Sequence, residues 1–158
     1  EEIRNVALKE FYVGYKKTVM RSNEWLKAIH VPLPLANQIL VAYKVSKRME
    51  DDISAVCMAV NLSLEDGKVV AMSTGFGGVA STPATSPALE NALLGKTWSD
   101  KENVTAGQNA LKDAFTPIDD VRASANYRRQ IIDNLWHRCW LQTTNEANSI
   151  ETRVVNHA

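Results

Sequence analysis

Residues 54–79, SAVCMAVNLSLEDGKVVAMSTGFGGV, decide the fold of this chain. Val56, Met58, Val60, Leu62 and Leu64 fall on one side of a period of two. The small or polar Ala55, Cys57, Ala59, Asn61 and Ser63 fall on the other. That alternation marks a strand with one buried face. Glu65-Asp66-Gly67 supplies a hairpin turn, because glycine tolerates a positive φ. Residues 68–79 then pair back as another strand. Upstream, residues 39–48 mix β-branched, aromatic and basic side chains and read as a third. The result is an antiparallel meander with one apolar face to cover.

Downstream the pattern turns helical. Ser86 caps a first helix, with Pro87 at its first position and Gly95 just past its end. Ser99-Asp100-Lys101-Glu102 fits a capping box that opens a second, on which Val104, Gln108, Leu111 and Phe115 mark one stripe. Thr116-Pro117 stops it. A third helix runs from about residue 124 to 143. Its apolar stripes are Tyr127, Ile131, Leu135 and Cys139, and beside them Ile132, Trp136 and Trp140, so it is packed on two sides. Strands followed by helices predict an α+β fold: a small antiparallel sheet of three to four strands, packed against three α-helices.

The region before the sheet is less regular. Phe11, Tyr15 and Val19 recur at helical spacing, but Gly14 weakens a helix. Residues 25–31 suit a strand that Pro32-Leu33-Pro34 would break. The whole chain, 1–158, reads as one domain. A leading segment covers about 1–35, the sheet 36–80, three helices 81–144 and a polar tail 145–158.

The chain has 158 residues, 45% hydrophobic and 23% charged, which suits one soluble globular domain. Eighteen basic side chains balance eighteen acidic ones. A nucleic-acid coat would carry a basic excess, so no nucleic-acid partner is expected. No apolar run approaches the ~20 residues of a membrane span, and no signal peptide opens the chain. Two cysteines, Cys57 and Cys139, exclude a disulfide scaffold and point to the reducing cytosol. The first residue is not Met, which suggests a piece of something longer.

Nothing announces a self-contained active site. His30, His137 and His157 lack ligand spacing with one another or with paired carboxylates. There is no nucleophile elbow, Walker loop or HExxH motif. The glycine-rich residues 75–80 read best as a strand end that a neighbouring backbone approaches closely. Residues 44–52, KVSKRMEDD, run three basic side chains into three consecutive acids. Such a run is either a solvated turn or a loop whose cations face an anionic or electron-rich ligand. Asp119, Asp120, Arg122, Tyr127, Arg128 and Arg129 read as a structural polar network. Asp119-Asp120 charge the start of the third helix.

The segment YKVSKRMEDDISAV at residues 43–56 closely resembles a stretch of the flavin-binding part of bacterial xanthine dehydrogenases. GYKKT at 14–18, NEWLKAIHVP at 23–32, FGGVA at 76–80 and DVRASANYR at 120–128 match the same family in order and spacing. The resemblance spans roughly residues 6–141. It is to the C-terminal subdomain of the flavoprotein portion of the molybdenum hydroxylases, nearer to xanthine dehydrogenase than to carbon monoxide dehydrogenase.

The resemblance implies an oxidoreductase part that covers the flavin of FAD. An upstream subdomain with a pyrophosphate loop holds most of that cofactor. Electrons from hypoxanthine or xanthine, oxidised at a molybdopterin centre, pass through [2Fe–2S] clusters to the flavin and on to NAD+. The implied partners are the upstream FAD-binding subdomain, the iron–sulfur domains and a molybdopterin-binding subunit, in the cytoplasm. Leu26 matches a residue that packs near the flavin. Lys44 matches a lysine at the ring's polar edge, where a cation raises the flavin potential. Ser46, Lys47, Arg48, Asp51 and Asp52 belong to a loop beside which NAD+ docks. No catalytic residue and no metal ligand is expected in this chain, since two cysteines cannot hold a [2Fe–2S] cluster. Alone it should be inactive. The other reading is a non-catalytic protein-interaction domain, with Trp25, Trp98, Trp136 and Trp140 as anchors if exposed.

Overall fold

The computed structural model describes residues 2–48 and 52–144. In chain order the elements are α1 Leu8–Phe11, β1 Tyr12–Gly14, β2 Lys17–Thr18, β3 Gln38–Val45, β4 Val56–Glu65, β5 Lys68–Gly77, α2 Pro87–Leu93, α3 Glu102–Leu111 and α4 Ala125–Thr144. This is an α+β fold. The main sheet has the order β3-β4-β5, antiparallel throughout. Its hairpin turns on Asp66 and Gly67, whose φ angles of 49° and 74° are both positive. Two positive φ angles match the twist of the flanking strands, and Asp-Gly is a favoured pair there.

The alternation in β4 sets the core. Val56, Met58 and Val60 are fully buried and Leu62 nearly so, on the side facing the helices. A bulge between Ser63 and Leu64 ends the alternation, leaving Ser63 buried and Leu64 only partly so. Tyr43 and Phe76 extend the buried layer across β3 and β5. Against it pack Leu89 and Leu93 of α2, Leu111 of α3, and Leu135, Trp136 and Cys139 of α4. No helix among the described residues is long and apolar enough to cross a membrane.

The helix ends follow the sequence with two changes: α3 stops at Leu111, short of the expected Thr116-Pro117, and its start is capped differently. Ser86 Oγ accepts from Leu89 N at 3.3 Å, Pro87 opens α2, and Gly95 takes φ 77° just beyond it. At α3 the capping box does not form. Asp100 Oδ1 instead accepts from Glu102 N at 2.9 Å, and the N-cap Lys101 lies in helical conformation. A carboxylate two residues upstream satisfies the free amide better than the hydroxyl of Ser99 could. At α4, Ser124 Oγ accepts from Tyr127 N and Asp119 Oδ1 accepts from Ala125 N at 2.7 Å.

Two helix faces are rotated from the expected stripes. The buried positions of α3 are Asn103, Gly107 and Leu111, with Val104 and Phe115 partly covered. A Cβ at Gly107 would overlap the Trp136 indole, so the missing side chain lets the ring lie against the α3 backbone. Trp136 Nε1 donates to Val104 O at 3.1 Å. Asn103 Nδ2 donates to the carbonyls of Thr97 and Trp98. On α4, Tyr127 is exposed and Arg128 is buried in its place, because three acceptors surround the Arg128 guanidinium.

The leading segment departs most. The helical spacing of Phe11, Tyr15 and Val19 gives only the four-residue α1, after which β1 and β2 form a small hairpin. Lys16, at φ 54°, turns that hairpin. Residues 25–31 form no strand. Pro32 and Pro34 remove alternate donors nearby, and a strand without partners cannot satisfy its backbone. The polar tail, 145–158, lies outside the described residues.

Candidate functional site

The helices cover one face of the main sheet and leave the other bare. Strand alternation puts Lys44 on the bare side, exposed, between the inward Tyr43 and Val45. In the register Lys44 lies beside Cys57, and Cys57 beside Gly77. The next row on that face is Ala42, Ala59 and Gly75. Small side chains therefore leave a nearly flat strip beside the Lys44 ammonium.

Tyr43 ties this strand end to α4. Its hydroxyl donates to Gln142 Oε1 at 3.0 Å, and the Arg138 guanidinium lies 4.9 Å from its ring centroid. Burial pushes the phenol up to about 12, so it stays protonated.

The described parts of the loop after β3 bond to one another. Ser46 Oγ donates to Arg48 O at 2.6 Å. Arg48 donates to Asp52 twice, from its backbone N at 3.1 Å and from its guanidinium at 3.3 Å. Those bonds, the guanidinium first, hold the Asp52 carboxyl below the usual range. Lys47 Nζ reaches across to Val121 O at 2.8 Å. Asp51, the other acid expected in this site, lies outside the described residues.

The glycine-rich strand end is a close approach. Gly78 has φ 78°, and a Cβ there would overlap Ala55 O. The Arg128 guanidinium fills that corner, donating to Ala55 O at 2.6 Å, Gly78 O at 2.7 Å and Asp120 Oδ1 at 2.6 Å. Asp120 also accepts from Arg122 N at 2.8 Å and Ala123 N at 3.1 Å. These amides, Arg122 N foremost, and the Arg128 charge hold its carboxyl down at about 2. The polar network read around residues 119–129 is thus a brace joining β4, β5 and the start of α4.

Loop and brace border a half-open cavity of about 390 Å³, lined by Lys47, Arg48, Asp52, Ile53, Ala55, Val121 and Arg122. The structure thus brings together Lys47, Arg48 and Asp52. Leu26 is not among the residues lining this cavity and is 54% exposed. Sequence reasoning missed Ile53, Ala55 and Val121, and gave Arg122 to the structural network alone. Arg122 does pair with Asp120 at 3.4 Å, but it also faces the cavity. The signal in reach was DVRASANYR, quoted for its match but not assigned to the loop's opposite wall.

Residues 41–143 match the family described as CO dehydrogenase flavoprotein C-terminal domain. The chain is 32% identical over 88% of its length to nicotinate hydroxylase hnxS of Emericella nidulans, covering 11% of that protein. It is 30% identical over 99% of its length to xanthine dehydrogenase 1 of Arabidopsis thaliana, covering 12% of that protein. Its fold superposes on the Cu,Mo-CO dehydrogenase in its cyanide-inactivated form with a TM-score of 0.77 and 27% identity, over 85% of this chain and 46% of the other. The chain thus spans about a tenth of those two relatives and under half of the CO dehydrogenase chain. Since the matched residues run from β3 through nearly all of α4, this chain belongs to the CO dehydrogenase flavoprotein C-terminal domain family.

Proposed function

We propose that this chain is the flavin-covering part of a molybdenum hydroxylase. The observation that carries the reading is the row Lys44, Cys57, Gly77 on the bare sheet face, next to the loop that holds Lys47, Arg48 and Asp52. A flat strip of small side chains beside one exposed cation fits a planar ring with a polar edge, such as the isoalloxazine of FAD. Lys44 would hold the polar edge, and the loop would stand at the ring's side. The group supplies two-electron redox chemistry when bound. The chain's own part is to orient the ring, shield it from water and place a positive charge at its polar edge.

The reading extends to a holoenzyme with an upstream FAD-binding part, [2Fe–2S] domains and a molybdopterin-binding part, which oxidises hypoxanthine or xanthine and passes electrons to NAD+. Xanthine dehydrogenase 1 at 30% identity supports that substrate class. Nicotinate hydroxylase makes another N-heteroaromatic substrate the alternative. Cys57 and Cys139 are free thiols, in keeping with a cytoplasmic protein. Leu26 would pack near the flavin once the leading segment meets its neighbour.

The interaction-module reading loses its anchors. Trp98, Trp136 and Trp140 are buried in the core, and only Trp25 among the four is exposed. The test is Lys44→Ala in the intact enzyme. The flavin potential should fall and flavin turnover should slow by ~10-fold or more, equivalent to about 1.4 kcal/mol or more. Reduction at the molybdenum centre should be unchanged. Equal loss in both half-reactions, with no change in potential, overturns the assignment. The isolated chain should bind FAD weakly or not at all, and a tight stoichiometric titration would contradict that.

A further inference from the structure

We infer that the outer edge of β3 docks a second copy of this chain, which pairs there antiparallel about a two-fold axis through Ala42. Asn37 O accepts from Leu64 N at 3.1 Å and Val45 O from Ala55 N at 2.8 Å, so the odd-numbered residues along β3 turn their backbone groups towards β4. The even-numbered residues turn theirs outward. Gln38 N is used locally, donating to Leu35 O at 3.0 Å. The amides and carbonyls of Leu40, Ala42 and Lys44 have no hydrogen-bond partner among the described residues, and all three residues are exposed.

The opposite edge of the same sheet is closed. On β5, Val69 N donates to Lys96 O and Val69 O accepts from Gly95 N. Phe76 exchanges both its bonds with Ala84, and Thr74 N donates to Glu90 Oε1 at 2.9 Å. The chain that follows β5 thus covers its edge. Bare edges are otherwise kept from pairing by charge, proline, bulges or short length. β3 has one of these, the charge of Lys44, and lacks the rest. Its eight residues, QILVAYKV, include no proline, and its register with β4 runs without a bulge.

The edge is complementary to itself. With Ala42 opposite Ala42 of the second copy, Leu40 lies opposite Lys44 of the second copy and Lys44 opposite its Leu40. Every free amide and carbonyl of the three residues is then paired, as in strand addition to a sheet edge. The single cation of each strand faces a leucine that is 57% exposed in the lone chain, so like charges do not meet. On the helix side Tyr43 stands opposite Val41 of the second copy, and Ile39 opposite its Val45. Aromatic and β-branched side chains favour such cross-strand contacts. Moving the axis to Val41 would set Lys44 against Gln38, whose amide is already used. The two three-stranded sheets join into one, with the helices of both copies on the same face, and the interface is the same patch on each.

The test uses the 158-residue chain, whose sheet and helices enclose their own core. Sedimentation should show a dimer that forms as concentration rises. Amide hydrogen exchange at Leu40, Ala42 and Lys44 should slow with concentration by ~10-fold or more, while the amides of Val41 and Tyr43, which face β4, should not change. Ala42→Pro removes an outward N–H without breaking a bond to β4, which edge strands tolerate, and should leave the chain monomeric. Leu40→Glu should dimerise ~10-fold or more tightly than Leu40→Lys, because the pair with Lys44 occurs on both sides of the axis. That comparison leaves the backbone of β3 intact, so it decides the register even where Ala42→Pro unsettles the strand. A chain that stays monomeric overturns the inference. A dimer with unaltered exchange at Leu40, Ala42 and Lys44, or with equal affinity in Leu40→Glu and Leu40→Lys, overturns it as well and moves association to the exposed segment around Trp25.

Discussion

Arg128 is the residue on which the geometry of the site depends most. A buried guanidinium is costly unless its donors are satisfied, and here one nitrogen serves two carbonyls and another meets a carboxylate, while Nε is buried without a partner among the described residues. Gly78 makes room for it, since a side chain at that position would collide with Ala55 O and with the guanidinium. Asp120, held by the amides of Arg122 and Ala123 and by the Arg128 guanidinium, makes folding sensitive to acid. The folded Asp120 carboxyl is held at about 2, below its unfolded value of ~3.9. Its contribution is complete above that unfolded value and is lost as pH falls through the folded one. Asp120→Asn should therefore lower the urea midpoint at neutral pH. Between about pH 4 and pH 2 the parent should lose midpoint faster than the variant, so that the two converge. Acids common to both chains, such as Asp52, contribute equally and cancel in the comparison. Parallel curves across that range would show that Asp120 does not carry the acid-sensitive charge.

At the level of elements, legibility followed contact with the core. The meander β3-β4-β5 was readable because its period of two and its Asp-Gly turn agree with each other. The length of α4 was readable because it presents apolar residues on every turn. The leading segment was not, because its spacing of Phe11, Tyr15 and Val19 has no core to face. The face of α3 was misread for a sharper reason: apolar counting passes over Asn103 and Gly107, two buried positions that touch the tryptophans. Of the site, the basic-acidic loop stood out in the sequence. Its opposite wall did not, because Val121 and Arg122 meet it only through folding. The α3 packing can be tested. Gly107→Ala gains about 1 kcal/mol of helix propensity. The new methyl group overlaps the fully buried Trp136 indole, and forced repacking costs about 1–3 kcal/mol, or more where the ring cannot move. Urea unfolding should show a net loss, whereas Thr105→Ala on the exposed side of α3 should not lower stability. A Gly107→Ala chain as stable as the parent would mean that α3 and Trp136 are not in this close contact.

The whole molecule presents two unlike surfaces. The sheet and α2–α4 enclose a continuous core, with Trp98 and Trp136 in edge contact at 5.8 Å between centroids. Before the sheet, Trp25, Leu26, Ile29, Val31, Leu33 and Leu35 are each more than half exposed. Apolar groups so concentrated in one exposed segment suit a surface for another body, and this chain covers 46% of the CO dehydrogenase chain it superposes on. On the proposed reading that body is the FAD-binding part of the same flavoprotein. The four tryptophans turn this into a measurement. Trp98, Trp136 and Trp140 are 3%, 0% and 7% exposed, and Trp25 is 75% exposed. In the isolated chain, iodide should quench one red-shifted component of the emission, and Trp25→Phe should abolish that component alone. In the intact flavoprotein the same component should shift to the blue and resist iodide, because docking takes Trp25 out of water. If Trp25 stays equally quenchable in the intact protein, the leading segment is not the docking surface, and the packing assigned to Leu26 falls with it.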